Sequence, residues 1–264
     1  MVIWSLARYR HAMPTLAELA EDTIVYLLPR PTFEQVDRGD LVYDAGLNQA
    51  TVHRIRVGDV REAVEWARTE TARRGLDRIE WWAGWSATPA DLGEQLRRCD
   101  LAPGEVPALT GMTCSQAPPA APAEVAVERV TTVEDYLEAI QVDWEVWELS
   151  PGERERRRAV EVRRFAEIEA SGVVHHFSAL LDGRRIGFGR AIDMDGAVAL
   201  MGGAVLPEAR GRGVYRALVR ARWDHSAARG TPFLVVQAGD LSAPILESLG
   251  FERHGEVRLY VDRL

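Results

Sequence analysis

Apolar positions along this 264-residue chain follow two rhythms, one helical and one alternating, and the changes between them mark out elements. In the second half, helical spacing over Thr132 to Leu149 predicts a helix, with Thr132 and Asp135 near its start. Gly152 to Ser171 is charged almost throughout and reads as a second helix with a solvated face and Glu/Arg pairs. His175 to Leu181 and Arg185 to Met194 are strand-like runs joined across Asp182-Gly183, a hairpin signature. Val198 to Leu206, apolar and rich in small residues, is another strand. Helical spacing returns over Val214 to Ala228. Phe233 to Ala238 is a buried-type strand. Ser242 to Leu249 is a short helix that Ser242 is placed to cap and Gly250 to end. Glu256 to Arg263 closes the chain as a strand.

Residues 116–124, Gln-Ala-Pro-Pro-Ala-Ala-Pro-Ala-Glu, have no periodicity and form an extended linker. They separate residues 1–115 from residues 125–264, and the length suits two domains of roughly 130 residues each. The first half contains a faded copy of the second. Arg74 to Gly84 aligns with Arg229 to Gly239, the helix Val60 to Arg73 matches Val214 to Ala228, and Gly58 falls opposite Gly213.

Composition narrows the function classes. Hydrophobic residues make up 47% and charged residues 27%, ordinary for a soluble globular chain. No apolar run approaches the roughly 20 residues of a membrane span, and Met1-Val2-Ile3-Trp4-Ser5 does not open a secretory signal. A cytoplasmic protein without a membrane partner is the expectation. Cys99 and Cys114 lie outside any metal-ligand spacing, so both read as reduced, packed thiols, and no metal site is expected. The net charge of −8 argues against nucleic acid as a partner and favours a cationic substrate. All the basic residues are arginines; the absence of lysine excludes a Walker-type lysine and a lysine Schiff base.

The chemistry concentrates in Val205 to Arg216, Val-Leu-Pro-Glu-Ala-Arg-Gly-Arg-Gly-Val-Tyr-Arg. A glycine-rich turn between a strand and a helix lets several backbone N–H groups converge, and the helix dipole and the arginines add positive charge. This is a cradle for a phosphate or pyrophosphate; its plain alternative is a surface turn with solvated arginines. Opposite Arg210-Gly211-Arg212 the first half has Ile55-Arg56-Val57, which cannot offer the same run of free amides.

The stretch resembles the acetyl-CoA-binding motif of the GNAT N-acetyltransferase superfamily, Arg/Gln-x-x-Gly-x-Gly/Ala after a Pro-led turn. Arg210 and Gly213 take the first two fixed positions, and Tyr215 stands where the family has Gly or Ala. Ser242 to Phe251, closing in Leu-Gly-Phe, resembles the family's second motif. The resemblance covers residues 125–264 and implies an α/β (α+β) fold of two GNAT-like domains, each a mixed, mostly antiparallel sheet flanked by helices, the first without its cofactor site.

It also implies acetyl transfer from acetyl-CoA to an amine by direct attack on the thioester; with no peptide-binding or nucleic-acid signature in the sequence, a small molecule is the expected acceptor. Arg210, Gly211, Arg212, Gly213, Val214 and Tyr215 would hold the pyrophosphate. Ala204 or Val205 would supply the backbone N–H for the oxyanion, beside a bulge at Gly202-Gly203. Ser242 would reach the pantetheine arm or only cap its helix. The family's motif tyrosine is Leu246 here, which leaves Tyr260 on the last strand as a candidate acid or a packed core phenol. Glu145 and Glu148, three apart on the face that carries Trp144 and Trp147, are candidate bases or a wet helix side. Of His175 and His176, one should point in and one out; Asp193 and Asp195 read as turn residues. The first half would shape the acceptor groove or a homodimer interface. A side chain at Gly213 should abolish cofactor affinity with folding largely intact. Two other readings remain open: a non-catalytic acyl-CoA sensor, and a site for another phosphorylated ligand.

Overall fold

The computed structural model of the chain describes residues 14–27, 34–46 and 48–264. The first half contributes α1 (Leu16–Glu21), β1 (Glu34–Asp37), β2 (Val42–Ala45), β3 (Ala50–His53), α2 (Val60–Arg73), β4 (Arg78–Ala83), α3 (Leu92–Arg98), β5 (Ala102–Pro103) and β6 (Leu109–Cys114). The second contributes β7 (Val125–Val130), α4 (Val133–Val146), α5 (Pro151–Ser171), β8 (Val174–Leu181), β9 (Arg184–Asp193), β10 (Val198–Val205), α6 (Val214–Ala228), β11 (Leu234–Ala238), α7 (Ala243–Ser248) and β12 (Glu252–Arg263). The fold is mixed α/β around a large, mostly antiparallel sheet, as expected.

Local chemistry sets the boundaries. The Thr132 hydroxyl accepts from the Asp135 N–H at 3.1 Å to start α4. Ser150 and Glu153 form a reciprocal capping box at the start of α5, with Pro151 in its first turn. The β8–β9 hairpin turns across Asp182 (φ 51°) and Gly183 (φ 76°), as its Asp-Gly pair predicts.

Along the sheet the strands run β1-β2-β3-β4-β12-β6-β11-β10-β9-β8-β7, with β5 attached to β12. Among these neighbours β3–β4 and β10–β11 are parallel, and each pair is bridged by a helix, α2 or α6. That shared β-α-β unit is the common element of the two halves.

The order crosses the 116–124 segment. β6, from the first half, lies between β11 and β12 and pairs with β11 at five positions from Leu234↔Cys114 to Ala238↔Thr110. The last strand pairs with β6 through Glu252 to Val257, then with β4 through Arg258 to Arg263. Each half's closing strand therefore borders the other half. Trp85 lies across both: a side-chain carbon at Gly111 or Gly255 would fall within 2.5 Å of its ring, so both strands need glycine beneath it. Arg68 of α2 grips the buried Asp262 of β12 through Nε (2.8 Å) and Nη2 (2.9 Å). Gln237 of β11 donates to the carbonyl of Glu21 at 2.7 Å.

Helices α4 and α5 cover one face of the second-half sheet, and α6 covers the other; α1 packs against β11 and β6. Cys99 and Cys114 are buried free thiols. Among the described residues, no helix is long and apolar enough to cross a membrane.

Residues 116–264 produced alone should lack a cooperative urea transition, because β11 and β12 would lose the strand between them. Co-expression with residues 1–115 should restore one. A fragment that melts cooperatively by itself would show β6 to be dispensable.

Candidate active site

β10 and β11 pair only at Val198↔Leu234 and Ala199↔Val235. Beyond these positions β10 bulges against β9 between Met201 and Gly203, where Gly202 takes φ 68°, and the two strands diverge. The bulge expected at Gly202-Gly203 is present. It leaves a wedge-shaped gap with Ala204 and Val205 on one side and the end of β11 on the other.

The chain then leaves β10 through a single 3-10 turn, Pro207–Ala209, into Arg210 to Gly213. Gly211 and Gly213 have φ of 76° and 74°, a region that favours glycine. Gly213 is the N-cap of α6 and brings no side chain to it, and the helix's hydrogen bonding begins with Ala217 N–H to Gly213 O. The amides of Val214, Tyr215 and Arg216 thus lack intrahelical acceptors at the positive end of a 15-residue helix. Arg210, Gly211 and Arg212 are exposed beside them. The structure brings the loop residues singled out in the sequence into one open, cationic N-terminus.

Two details of this loop differ from expectation. A side-chain carbon on Gly213 would fall 2.5 Å from Cγ of Pro122, so the 116–124 segment rests on the loop and a substitution there would disturb folding as well as binding. Ser242, with φ −94° and ψ −31°, is already helical, and its hydroxyl donates to the Gly239 carbonyl at 3.1 Å instead of capping α7.

A buried arginine secures the bulge. Arg222 of α6 is wholly buried; its Nη1 donates to the carbonyls of Arg190 (3.2 Å) and Gly202 (3.3 Å), and its Nε to Leu218 O (2.9 Å). The carbonyls of Arg190 and Gly202, on either side of the bulge, thus find a donor in α6. Tyr215 explains the departure from the motif: its ring covers Gly203, where a side-chain carbon would lie 2.9 Å from Cε2. Burial pushes its phenol above the usual range, so it stays protonated.

The matching segment of the first half is closed. Arg56 N–H donates to Asp40 O (2.6 Å) and Val57 N–H to Thr88 O (3.2 Å). Asp59 caps α2 with its own carboxylate, accepting from Glu62 N–H at 3.1 Å. A helix N-terminus that carries its own anion has no place for another.

The acceptor-side candidates are placed differently from their sequence reading. α4 ends at Val146, Trp147 is its C-cap and Glu148 turns left-handed at φ 53°. Glu145 and Glu148 therefore share no helix face, and both are exposed. Trp144 is buried whereas Trp147 is 72% exposed. Tyr260 packs in the first half's core with its ring beneath Arg97, since β12 has crossed to pair with β4.

A cavity of about 490 Å³ opens instead between α4 and α5. Asp143, Trp144 and Trp147 of the α4 end line it, as do Arg157, Glu161 and Arg164 of α5 and Arg190 of β9. Arg190 Nη2 donates to Asp143 at 3.2 Å, and Tyr136 donates to the buried Glu161 at 2.7 Å. Burial, reinforced by that carboxylate, holds the Tyr136 phenol protonated. A side-chain carbon at Gly202 would lie 3.4 Å from Arg190 Nη1, so the cavity abuts the bulge. The signal for it lies in two helical spacings, 140/143/144/147 and 157/161/164, that meet only when α4 and α5 pack.

Both histidines of the His175-His176 pair are buried, on opposite faces of β8, because helices cover both sides of the sheet. His176 sits among Tyr136, Phe165 and Phe188, and burial pushes it down to about 3, so it is neutral. His175 accepts from Arg129 at Nδ1 (2.5 Å) and donates from Nε2 to Asp193 (3.0 Å). Asp193 ends β9 as a buried hub rather than a turn residue. It also accepts from His225 Nε2 (2.8 Å) and pairs with Arg229 Nε (3.1 Å), tying the end of α6 to the sheet. These ligand atoms are close enough to hold a cation, but Arg129 and Arg229 already supply positive charge to the cluster.

The acetyltransferase (GNAT) family model matches residues 134–251. A GCN5-related N-acetyltransferase from Kribbella flavida shares the fold with a TM-score of 0.68 at 17% identity, over 95% of this chain and 96% of that one. A tandem GNAT protein from the clavulanic acid biosynthesis pathway gives 0.62 at 15%, over 96% and 89%. A GCN5-related N-acetyltransferase from Sphaerobacter thermophilus gives 0.58 at 16%, over 86% and 82%. No curated protein matches the sequence. The family match falls on the half that holds the open loop, the bulge and the cavity, while the fold likeness spans both halves. Residues 134–251 are a GNAT-family acetyltransferase domain, set in a GNAT-type fold that extends over nearly the whole chain.

Proposed function

We propose that the second half transfers an acetyl group from acetyl-CoA to the amine of a small molecule, and that the first half keeps the fold without the cofactor site. One observation carries the reading: an uncapped helix N-terminus with exposed arginines stands at the mouth of a gap between diverging strands. The residues fit the cofactor. Gly211 and Gly213 keep the cradle free of side chains, Arg210 and Arg212 match a pyrophosphate, and the gap offers unpaired backbone to a pantetheine arm.

When bound, acetyl-CoA supplies the acetyl thioester. The amine nitrogen attacks the carbonyl carbon, the N–C bond forms and the C–S bond breaks; the amine loses one proton and the departing thiolate gains one. The backbone N–H of Ala204 or Val205 stabilises the oxyanion. Asp143 and Glu161 are the carboxylates of the adjoining cavity and replace Glu145 and Glu148 as candidates for the amine's proton. Leu246 is fully buried where the family's motif has tyrosine, which keeps a second reading in play: a protein that holds acyl-CoA without turnover.

Calorimetry should detect CoA binding, and thiol release from acetyl-CoA should require an added amine. Binding without release on any amine would establish the sensor reading; absence of binding would sink both. Arg210→Gln and Arg212→Gln should each weaken CoA about tenfold, the worth of one charge-assisted contact, and flatten the salt dependence.

Gly211→Ala should cost about 1–2 kcal/mol for its left-handed backbone, read as a lower Tm, since open space surrounds that position. Gly213→Ala should lower Tm further by displacing Pro122. Equal melting of the two variants would contradict the contact.

A further inference from the structure

We infer that the cavity between α4 and α5 selects an acceptor amine carrying its own carboxylate on an apolar body, the chemistry of an apolar α-amino acid, with Arg157 as the anchor for that carboxylate. The inference rests on the acetyl-transfer reading for the role of the site.

The chain carries a net charge of −8, which favours cationic substrates at the level of the whole surface. The cavity has the opposite local balance. Arg157, Arg164 and Arg190 face it against Asp143 and Glu161, an excess of one positive charge. Both carboxylates already have donors: Arg190 reaches Asp143 at 3.2 Å, while Tyr136 and Arg164 reach Glu161 at 2.7 and 3.5 Å. Among the described residues Arg157 makes no ion pair within 4 Å; Glu153, one turn earlier on α5, feels its charge only at longer range and is itself hydrogen-bonded to Ser150. An amine with no acid group would enter a cavity whose anions are already engaged and whose remaining charge repels it. A zwitterion meets both demands: its acid group pairs with Arg157, and its amine approaches Asp143 and the bulge.

Geometry gives the direction. Arg157, Glu161 and Arg164 recur at i, i+4 and i+7 on α5 and share one face. Arg190 also lines the cavity, bonded to Asp143 and beside Gly202 of the bulge. An acceptor that pairs with Arg157 and brings its amine to Asp143 stands beside Arg190 and the bulge, next to the diverging strands where the thioester would lie. Ile140, Trp144, Trp147 and Leu149 form the wall along which an apolar body would lie. Arg157 is exposed on α5, so replacing it tests recognition without touching the core.

The test uses the full-length protein with L-phenylalanine, L-phenylalaninamide and 2-phenylethylamine. Binding is measured by calorimetry and tryptophan fluorescence in the presence of CoA, and thiol release from acetyl-CoA is measured alongside. Phenylalanine should bind at least tenfold more tightly than either analogue. Arg157→Gln should erase that difference by weakening phenylalanine alone, and Arg157→Lys should restore part of it. Selective binding with no thiol release would overturn acetyl transfer and leave the cavity's preference standing. Thiol release on all three with no selectivity would do the reverse. Lack of selectivity, failure of all three to bind, or selectivity unchanged in Arg157→Gln overturns the assignment.

Discussion

β10 and β11 run parallel for two residue pairs and then part, and the site depends on holding them apart. Two adjacent strands gain ladder hydrogen bonds by staying together, so divergence needs compensation on both outer edges. β11 keeps all five of its residues paired with β6. β10 stays on β9 by taking a bulge, and two carbonyls beside it, those of Arg190 and Gly202, accept from α6 instead. Arg222 donates to them from the helix side, Tyr215 covers Gly203, and Arg190 stands over Gly202 from the other face. A buried guanidinium is costly without partners. Here its carbonyl partners exist because the strand is bent, so the bend and the buried charge require each other.

The strand that supports β11 comes from the other half of the chain. If β6 paired only within residues 1–115, β11 would lose its outer neighbour and the gap its fixed wall. The first half thus serves the site structurally even though its own loop is closed. The same exchange sets the place of Tyr260, because the residues that carry β12 to β4 carry its phenol into the first half's core.

Local signals account for what the sequence made legible. Helices Val60–Arg73 and Val214–Ala228 are found at the boundaries that helical spacing and flanking glycines predict, and the open loop is where Arg210 to Gly213 placed it. Period-two patterning shows that a strand is buried but not which strand lies beside it, so the β6/β12 exchange could not be read. The Glu145/Glu148 pairing failed for a local reason. Glu148 adopts a left-handed conformation without being glycine or asparagine, and no residue type announced the end of α4. Asp193 resembled a turn aspartate because its partners, His175, His225 and Arg229, are contributed by β8 and the end of α6.

The contrast between the two β-α-β units turns on one N-cap position. Asp59 satisfies the start of α2 internally, and such a cap contributes about 1 kcal/mol relative to alanine at that position. Gly213 forgoes that contribution and leaves three amides of α6 without intrahelical acceptors. Glycine at an N-cap costs only a few tenths of a kcal/mol against the better capping residues, so the open form is tolerated without a ligand. The arrangement also has a consequence for stability. An anion held at Gly213 supplies what Asp59 supplies to the first half, so ligand binding should tighten α6 and, through Arg222, the bulge that forms the gap. On the proposed reading, donor binding and the shape of the acceptor end would be linked through one helix, with Arg222 between them and in contact with the bulge rather than with either ligand.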